Sequence, residues 1–75
     1  MTADERRLLE LLVASGEGAT DALLQAHGLK LDILISIVSA GLATATPERA
    51  LAGGKPVDAT RVRITDAGRR ALAEP

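Results

Sequence analysis

The run from Gly41 to Leu72 constrains the fold more than any other part of this chain. In order it holds a helix stop (Ala40-Gly41-Leu42), a strand of small residues, a Gly53-Gly54 turn, a second strand (Arg61-Val62-Arg63-Ile64-Thr65) and a fresh helix start at Thr65-Asp66. Two glycines between strand-like segments are a hairpin-turn signal. Closing the turn there sets Ala45 opposite Val62 and Ala43 opposite Ile64, with Thr44 and Thr46 beside Arg63 and Arg61 on the other face. A strand shows its residues alternately to two faces, so a slip of one residue would mix these sets. Here apolar meets apolar and polar meets polar, which makes the register self-consistent near the base. Toward the tip the pattern loses phase. Val57 falls on the arginine face, and Pro47 and Pro56 lack the N–H that a ladder uses. The outer hairpin is therefore expected to be irregular and mobile.

Three helical segments precede the hairpin. Thr2-x-x-Glu5 is a capping box that opens the first, at about residues 4–15, and Ser15-Gly16-Glu17-Gly18 closes it. Thr20 or Asp21 caps the second, at about 20–27, which turns Leu23 and Leu24 inward and stops at Gly28. The third, at about 31–40, is unusual: Asp32, Ser36 and Ser39 form a narrow polar stripe, while Leu31, Ile33, Leu34, Ile35, Ile37 and Val38 fill an arc of roughly 200°. A helix packed on one side needs less. Either this helix is deeply enclosed or part of it, centred on Ile35 with Leu31 beside it, faces a partner. After the hairpin, at about 42–65, residues 66–74 form a short last helix with Ala71 and Leu72 inward. Gly68 weakens that helix and points to close packing there. The stretch between the first two helices has room for a minimal strand. The whole reads as one α+β domain over residues 1–75: three helices, a two-stranded hairpin and a short C-terminal helix.

Seventy-five residues bury only about 60% of the surface of the unfolded chain, so stability is expected to be modest. There is no aromatic residue, which leaves the core to Leu, Ile, Val and Ala and removes any platform on which unpaired bases could stack. There is no cysteine, hence no disulfide, thiolate metal site or thiol nucleophile. The polar, acidic start, Met1-Thr2-Ala3-Asp4-Glu5, is unlike a signal peptide, and the longest apolar run, Ile33 to Val38, is far short of a membrane span. These features predict a cytoplasmic location and no membrane partner. His27 is the lone histidine and closes the second helix, where the helix dipole favours a cation; no metal-ligand spacing surrounds it. Ser15, Ser36 and Ser39 sit in no nucleophile motif, and Gly16-x-Gly18 follows a helix and not a strand. No enzyme activity, cofactor or small-molecule ligand is expected.

The segments Gly41-Leu42-Ala43-Thr44-Ala45 and Arg61-Val62-Arg63-Ile64-Thr65-Asp66-Ala67-Gly68-Arg69-Arg70-Ala71-Leu72, with the hairpin between them, resemble the back half of winged helix-turn-helix domains of bacterial transcription regulators. In that family a helix ends in Gly-Leu, a β-hairpin wing follows, and Leu/Ile-Thr-x-x-Gly opens the closing helix. The resemblance runs over residues 4 to 74 and implies a winged-helix-like fold with double-stranded DNA as partner. The same segment resembles one in small uncharacterised bacterial proteins, from which no function carries over.

Charge and helix chemistry shape what the resemblance implies. Residues 1–45 carry a net −3 and residues 46–75 a net +2, so the hairpin and not the helices is the surface for phosphate. The family's third helix enters the major groove, yet the stripe Asp32, Ser36 and Ser39 offers none of the Arg, Asn or Gln that pair with guanine or adenine. Asp32 also repels phosphate at that helix start, and the interval from Gly28 to Gly41 is about one turn shorter than is common in the family. The family role, placed first, then reduces to weak phosphate contact through Lys55, Arg61 and Arg63 of the wing, with Arg49 nearby. Arg69 and Arg70 are read as solvated surface beside Asp66 and Glu74. The second reading keeps the scaffold without DNA binding, as a protein-interaction or homodimerisation module whose face holds Leu31 and Ile35.

Overall fold

The computed structural model describes residues 1–74. Its elements are α1 (Ala3–Ala14), β1 (Ala19–Thr20), α2 (Asp21–Ala26), α3 (Leu31–Ser39), β2 (Ala43–Ala52), β3 (Lys55–Ile64) and α4 (Asp66–Ala73). Four helices and a three-stranded antiparallel sheet make a small α+β domain, a shape compatible with a winged helix.

The helix starts follow local side-chain chemistry. At α1 the Glu5 N–H donates to Thr2 Oγ1 (3.1 Å) and the Thr2 N–H to Glu5 Oε1 (2.8 Å), closing the capping box. Thr20 caps α2 by accepting from the Leu23 N–H, and Thr65 caps α4 by accepting from the Gly68 N–H. Thr65 does a second job. Its hydroxyl donates to the Gly41 carbonyl (2.7 Å) and its N–H to the Leu42 carbonyl (3.1 Å), so the start of α4 is tied to the end of α3. Gly68 sits against that junction, where a Cβ would strike the Leu42 carbonyl oxygen. Close packing is thus the reason for glycine inside a helix.

Leu8, Leu9 and Leu12 of α1 form the centre of the core with Leu24, Leu29, Ile37 and Val62, all essentially inaccessible to water. Leu34 and Ala43 extend it, and among the described residues no polar side chain is buried. Leu23 departs from expectation. Only Leu24 turns inward, and Leu23 is half exposed, because a six-residue helix has one inward line and Leu24 takes it. Ala71 and Leu72 are partly buried against the core, as α4 lies over α1.

The sheet order is β1-β3-β2, with β1 pairing Ala19 to Val62 and Thr20 to Arg61. The sheet therefore has three strands at its base, the third supplied by the two residues before α2. The long hairpin pairs Ala43 with Ile64, Thr44 with Arg63, Ala45 with Val62 and Thr46 with Arg61, the register expected from the Gly53-Gly54 turn. Both turn glycines have positive φ (60° and 81°), the geometry of a type I′ turn that matches strand twist.

The expectation of an irregular outer hairpin is overturned: pairing continues without a break to Ala52 and Lys55. The reason lies in the phase of the two prolines. A two-residue turn makes Ala52 and Lys55 a hydrogen-bonded pair, and such pairs alternate along the ladder. Pro47 and Pro56 then fall at positions whose backbone nitrogens point to the open edges. The Thr60 N–H, at a position of the same phase as Pro56, does point outward and donates to Asp21 Oδ1 (3.3 Å). Neither proline costs a ladder bond, and each blunts a free edge against pairing with another chain.

The molecule measures 44 × 22 × 21 Å, whereas ten residues of strand span about 33 Å, so the distal hairpin stands clear of a body of nearly round cross-section.

Candidate functional site

α3 packs on the core through Leu34 and Ile37, which leaves its neighbouring stripe outward. Leu31 (55% exposed) and Ile35 (56% exposed) lie one turn apart on that stripe. α3 is therefore not deeply enclosed. Facing it across the base of the hairpin are Ala45 of β2 and Thr60 of β3, on the sheet face that continues inward to Ala43 and Val62. Both are small, so the sheet does not fill the space beside the helix. The result is a groove of about 230 Å³ walled by Leu31, Leu34, Ile35 and Val38, with Ala45 and Thr60 opposite. An aliphatic cavity of about 150 Å³ takes up benzene, so this groove has room for one or two aliphatic side chains.

Asp21 and Ser39 complete the lining, and Asp21 is the one charged residue in it. Asp21 Oδ1 accepts from the N–H groups of Ala22 (3.0 Å) and Thr60 (3.3 Å), which holds the carboxylate between α2 and β3. The groove thus combines an aliphatic wall with a single oriented anion.

The hairpin cations are arranged differently. Register places Lys55, Arg61 and Arg63 on the face with Thr44, Thr46 and Glu48, whereas Arg49 lies on the opposite face with Leu51. Arg61 is occupied. Its Nε donates to both oxygens of Glu48 (3.1 Å each), a terminal nitrogen reaches Glu48 Oε1 at 2.8 Å, and the other donates to the Gly18 carbonyl (3.4 Å). Those hydrogen bonds from Arg61 hold the Glu48 carboxyl below its usual range, and Glu48 in turn holds the guanidinium more firmly charged. Arg49 pairs with Asp58 across the ladder at 3.5 Å, with both side chains well exposed. Arg63 donates from Nε to the Glu17 carbonyl (3.0 Å), and it and Lys55 have no ion pair among the described residues.

Comparison with known proteins finds no matching family model, no matching curated protein and no matching solved structure. Among the described residues no group of His, Cys, Asp or Glu is placed to hold a metal ion, and no helix is long and apolar enough to cross a membrane.

Of the residues singled out from sequence, Leu31 and Ile35 come together in one groove, and Lys55, Arg61, Arg63 and Arg49 do not form one patch. Two features escaped the sequence reading. The role of Glu48 was available from the register, since it faces Ala59 and lies diagonal to Arg61 on the same face. The part played by Asp21, Ala45 and Thr60 was not, because it depends on how far α3 stands from the sheet.

Proposed function

We propose that this chain is a protein-interaction module on a winged-helix-like scaffold, which receives an aliphatic segment in the groove between α3 and the hairpin. One observation carries the reading. The helix that winged helix-turn-helix regulators turn to base edges corresponds here to one that turns Leu31 and Ile35 outward, each more than half exposed, beside a hollow lined almost wholly by carbon. Exposed aliphatic surface of that kind serves a partner and not a nucleic acid, whose edges and phosphates ask for donors and positive charge.

The cations support the same reading. Arg61 is held by Glu48 through several hydrogen bonds, and Arg49 lies beside Asp58 in an exposed pair. A phosphate reading retains one observation in its favour: Lys55 and Arg63 share a face, and neither has an ion pair among the described residues. They are eight residues apart on β3, about 26 Å, too far to grip neighbouring phosphates together.

Titration of mixed-sequence duplex into isotope-labelled protein, at low and at high salt, tests the proposal. The expected outcome is no change in the amide signals of Lys55, Arg61 and Arg63 at low salt. Shifts at those residues that fade as salt rises would be the mark of phosphate contact with counterion release and would overturn it.

A further inference from the structure

The distal hairpin is a second unpartnered feature, and its chemistry matches the groove. Among the described residues no strand or helix lies beside β3 from Thr60 to the tip, and β2 has no strand on its outer edge. A two-stranded ribbon with nothing behind it is marginal in water. At its tip Leu51 is 77% exposed, the most exposed large aliphatic side chain among the described residues. Leu51 lies on the ribbon face that carries Ala45, the same face that lines the groove. Next to the turn stands Lys55, a cation without an ion pair among the described residues. The tip therefore offers an aliphatic side chain on the groove face, with Lys55 on the opposite face of the ribbon, and the groove offers an aliphatic wall.

The tip cannot serve its own groove. Six residues of strand separate Leu51 from Ala45, about 20 Å of stiff ladder. Only the tip of another copy can enter. We propose that the chain forms a two-fold homodimer by exchange of arms, the hairpin tip of each copy, led by Leu51, docking in the α3–hairpin groove of the other. This rests on the reading of the groove as a docking site, and it names the occupant.

Area and charge are consistent with it. A stable interface needs about 800 Å² from each partner, roughly a sixth of the 4830 Å² that one copy exposes. Exchange divides that requirement between two places, because each copy both gives an arm and receives one, as a closed two-fold requires. The acidic helical half and the basic hairpin half of the chain also attract each other between copies. Pro47 and Pro56, which blunt the hairpin edges, disfavour open-ended strand pairing as the competing mode of association.

The experiment is sedimentation equilibrium on the full chain, with Leu51→Asp and Ile35→Glu. Both positions are exposed, so melting temperature read at concentrations where the parent is monomeric should be kept. The parent should pass from the mass of one chain to that of two as concentration rises. Each variant alone should weaken association by roughly tenfold or more. An equimolar mixture should associate more strongly than either variant alone, through one intact contact between the tip of the Ile35→Glu copy and the groove of the Leu51→Asp copy. A dimer made by tip against tip or groove against groove gains nothing from mixing, and that result overturns the proposal.

A second measurement does not depend on the charged variants. The chain has no cysteine, so Leu51→Cys combined with Ile35→Cys gives one diagnostic product on mild oxidation, a dimer linked from position 51 of one copy to position 35 of the other. Linkage only between equal positions, or none at all, counts against exchange. A parent that stays monomeric at every concentration also overturns it, while uptake of a small apolar probe by the groove would leave the docking reading standing.

Discussion

Substituting Gly68 with alanine sets two effects of opposite sign against each other. Helix propensity alone favours the change by about 1 kcal/mol, since glycine inside a helix is poorer than alanine by that amount. Packing opposes it. The added Cβ would meet the Leu42 carbonyl oxygen and press on Ile64 Cγ1 at 2.7 Å. The carbonyl is backbone and cannot swing aside as a side-chain end does. It also accepts the Thr65 N–H at the start of α4, so displacing it strains that bond too. Overpacking costs about 1–3 kcal/mol and loss of the hydrogen bond about 1 kcal/mol more. The expected balance is destabilisation by about 1–3 kcal/mol, a fall in melting temperature of at least about 5 °C for a domain of this size. Thermal unfolding followed by circular dichroism reads it, with Arg69→Ala, exposed on the same helix, as a control that stays near the parent. A Gly68→Ala protein that melts at or above the parent would refute the argument that packing and not chance put glycine there.

Two further predictions concern the hairpin. Because Glu48 titrates below its usual range in the folded chain, its contribution to stability is present above the ordinary carboxylate range and is lost as pH falls through the lowered value. Glu48→Gln should therefore flatten the acid side of the melting-temperature profile and leave little pH dependence of its own; a carboxyl signal of Glu48 that titrates at or above the ordinary glutamate value would contradict this. The phase of the prolines predicts that Pro47→Thr stays within about 1 kcal/mol of the parent, whereas Thr46→Pro, at a hydrogen-bonded position, costs about 1–3 kcal/mol and lowers amide protection along β3. Equal effects of the two changes would show that the assigned phase is wrong.

The parts of the fold that were legible in the sequence are those set by neighbours along the chain. The register of β2 on β3 follows from two glycines and the alternation on either side of them, and the starts of α1, α2 and α4 follow from Thr2, Thr20 and Thr65. Pro47 and Pro56 misled because a proline was weighed by its identity and not by its phase from the turn. The two-residue strand β1 falls where room for a minimal strand was legible, between α1 and α2, but its pairing with the free edge of β3 was not, because no local pattern names a partner so far along the chain. For the site, Leu31 and Ile35 were legible as surplus on a helix too apolar for one-sided burial. The hollow beside them was not, since it comes from the small side chains of Ala45 and Thr60 meeting α3 across the fold. Arg61 looked like a phosphate contact until its diagonal partner was considered.

Docking of aliphatic groups in the groove between α3 and the hairpin has its own spectroscopic readout. Methyl and amide spectra of labelled protein titrated with isopropanol, in parallel for the parent and for Ile35→Glu, test it most directly. Docking in the groove gives shifts clustered at Leu31, Leu34, Ile35, Val38 and Ala45 in the parent, and their loss in the variant while the fold is kept. Shifts scattered over the surface, or clustered at Lys55 and Arg63 with the groove silent, would contradict it.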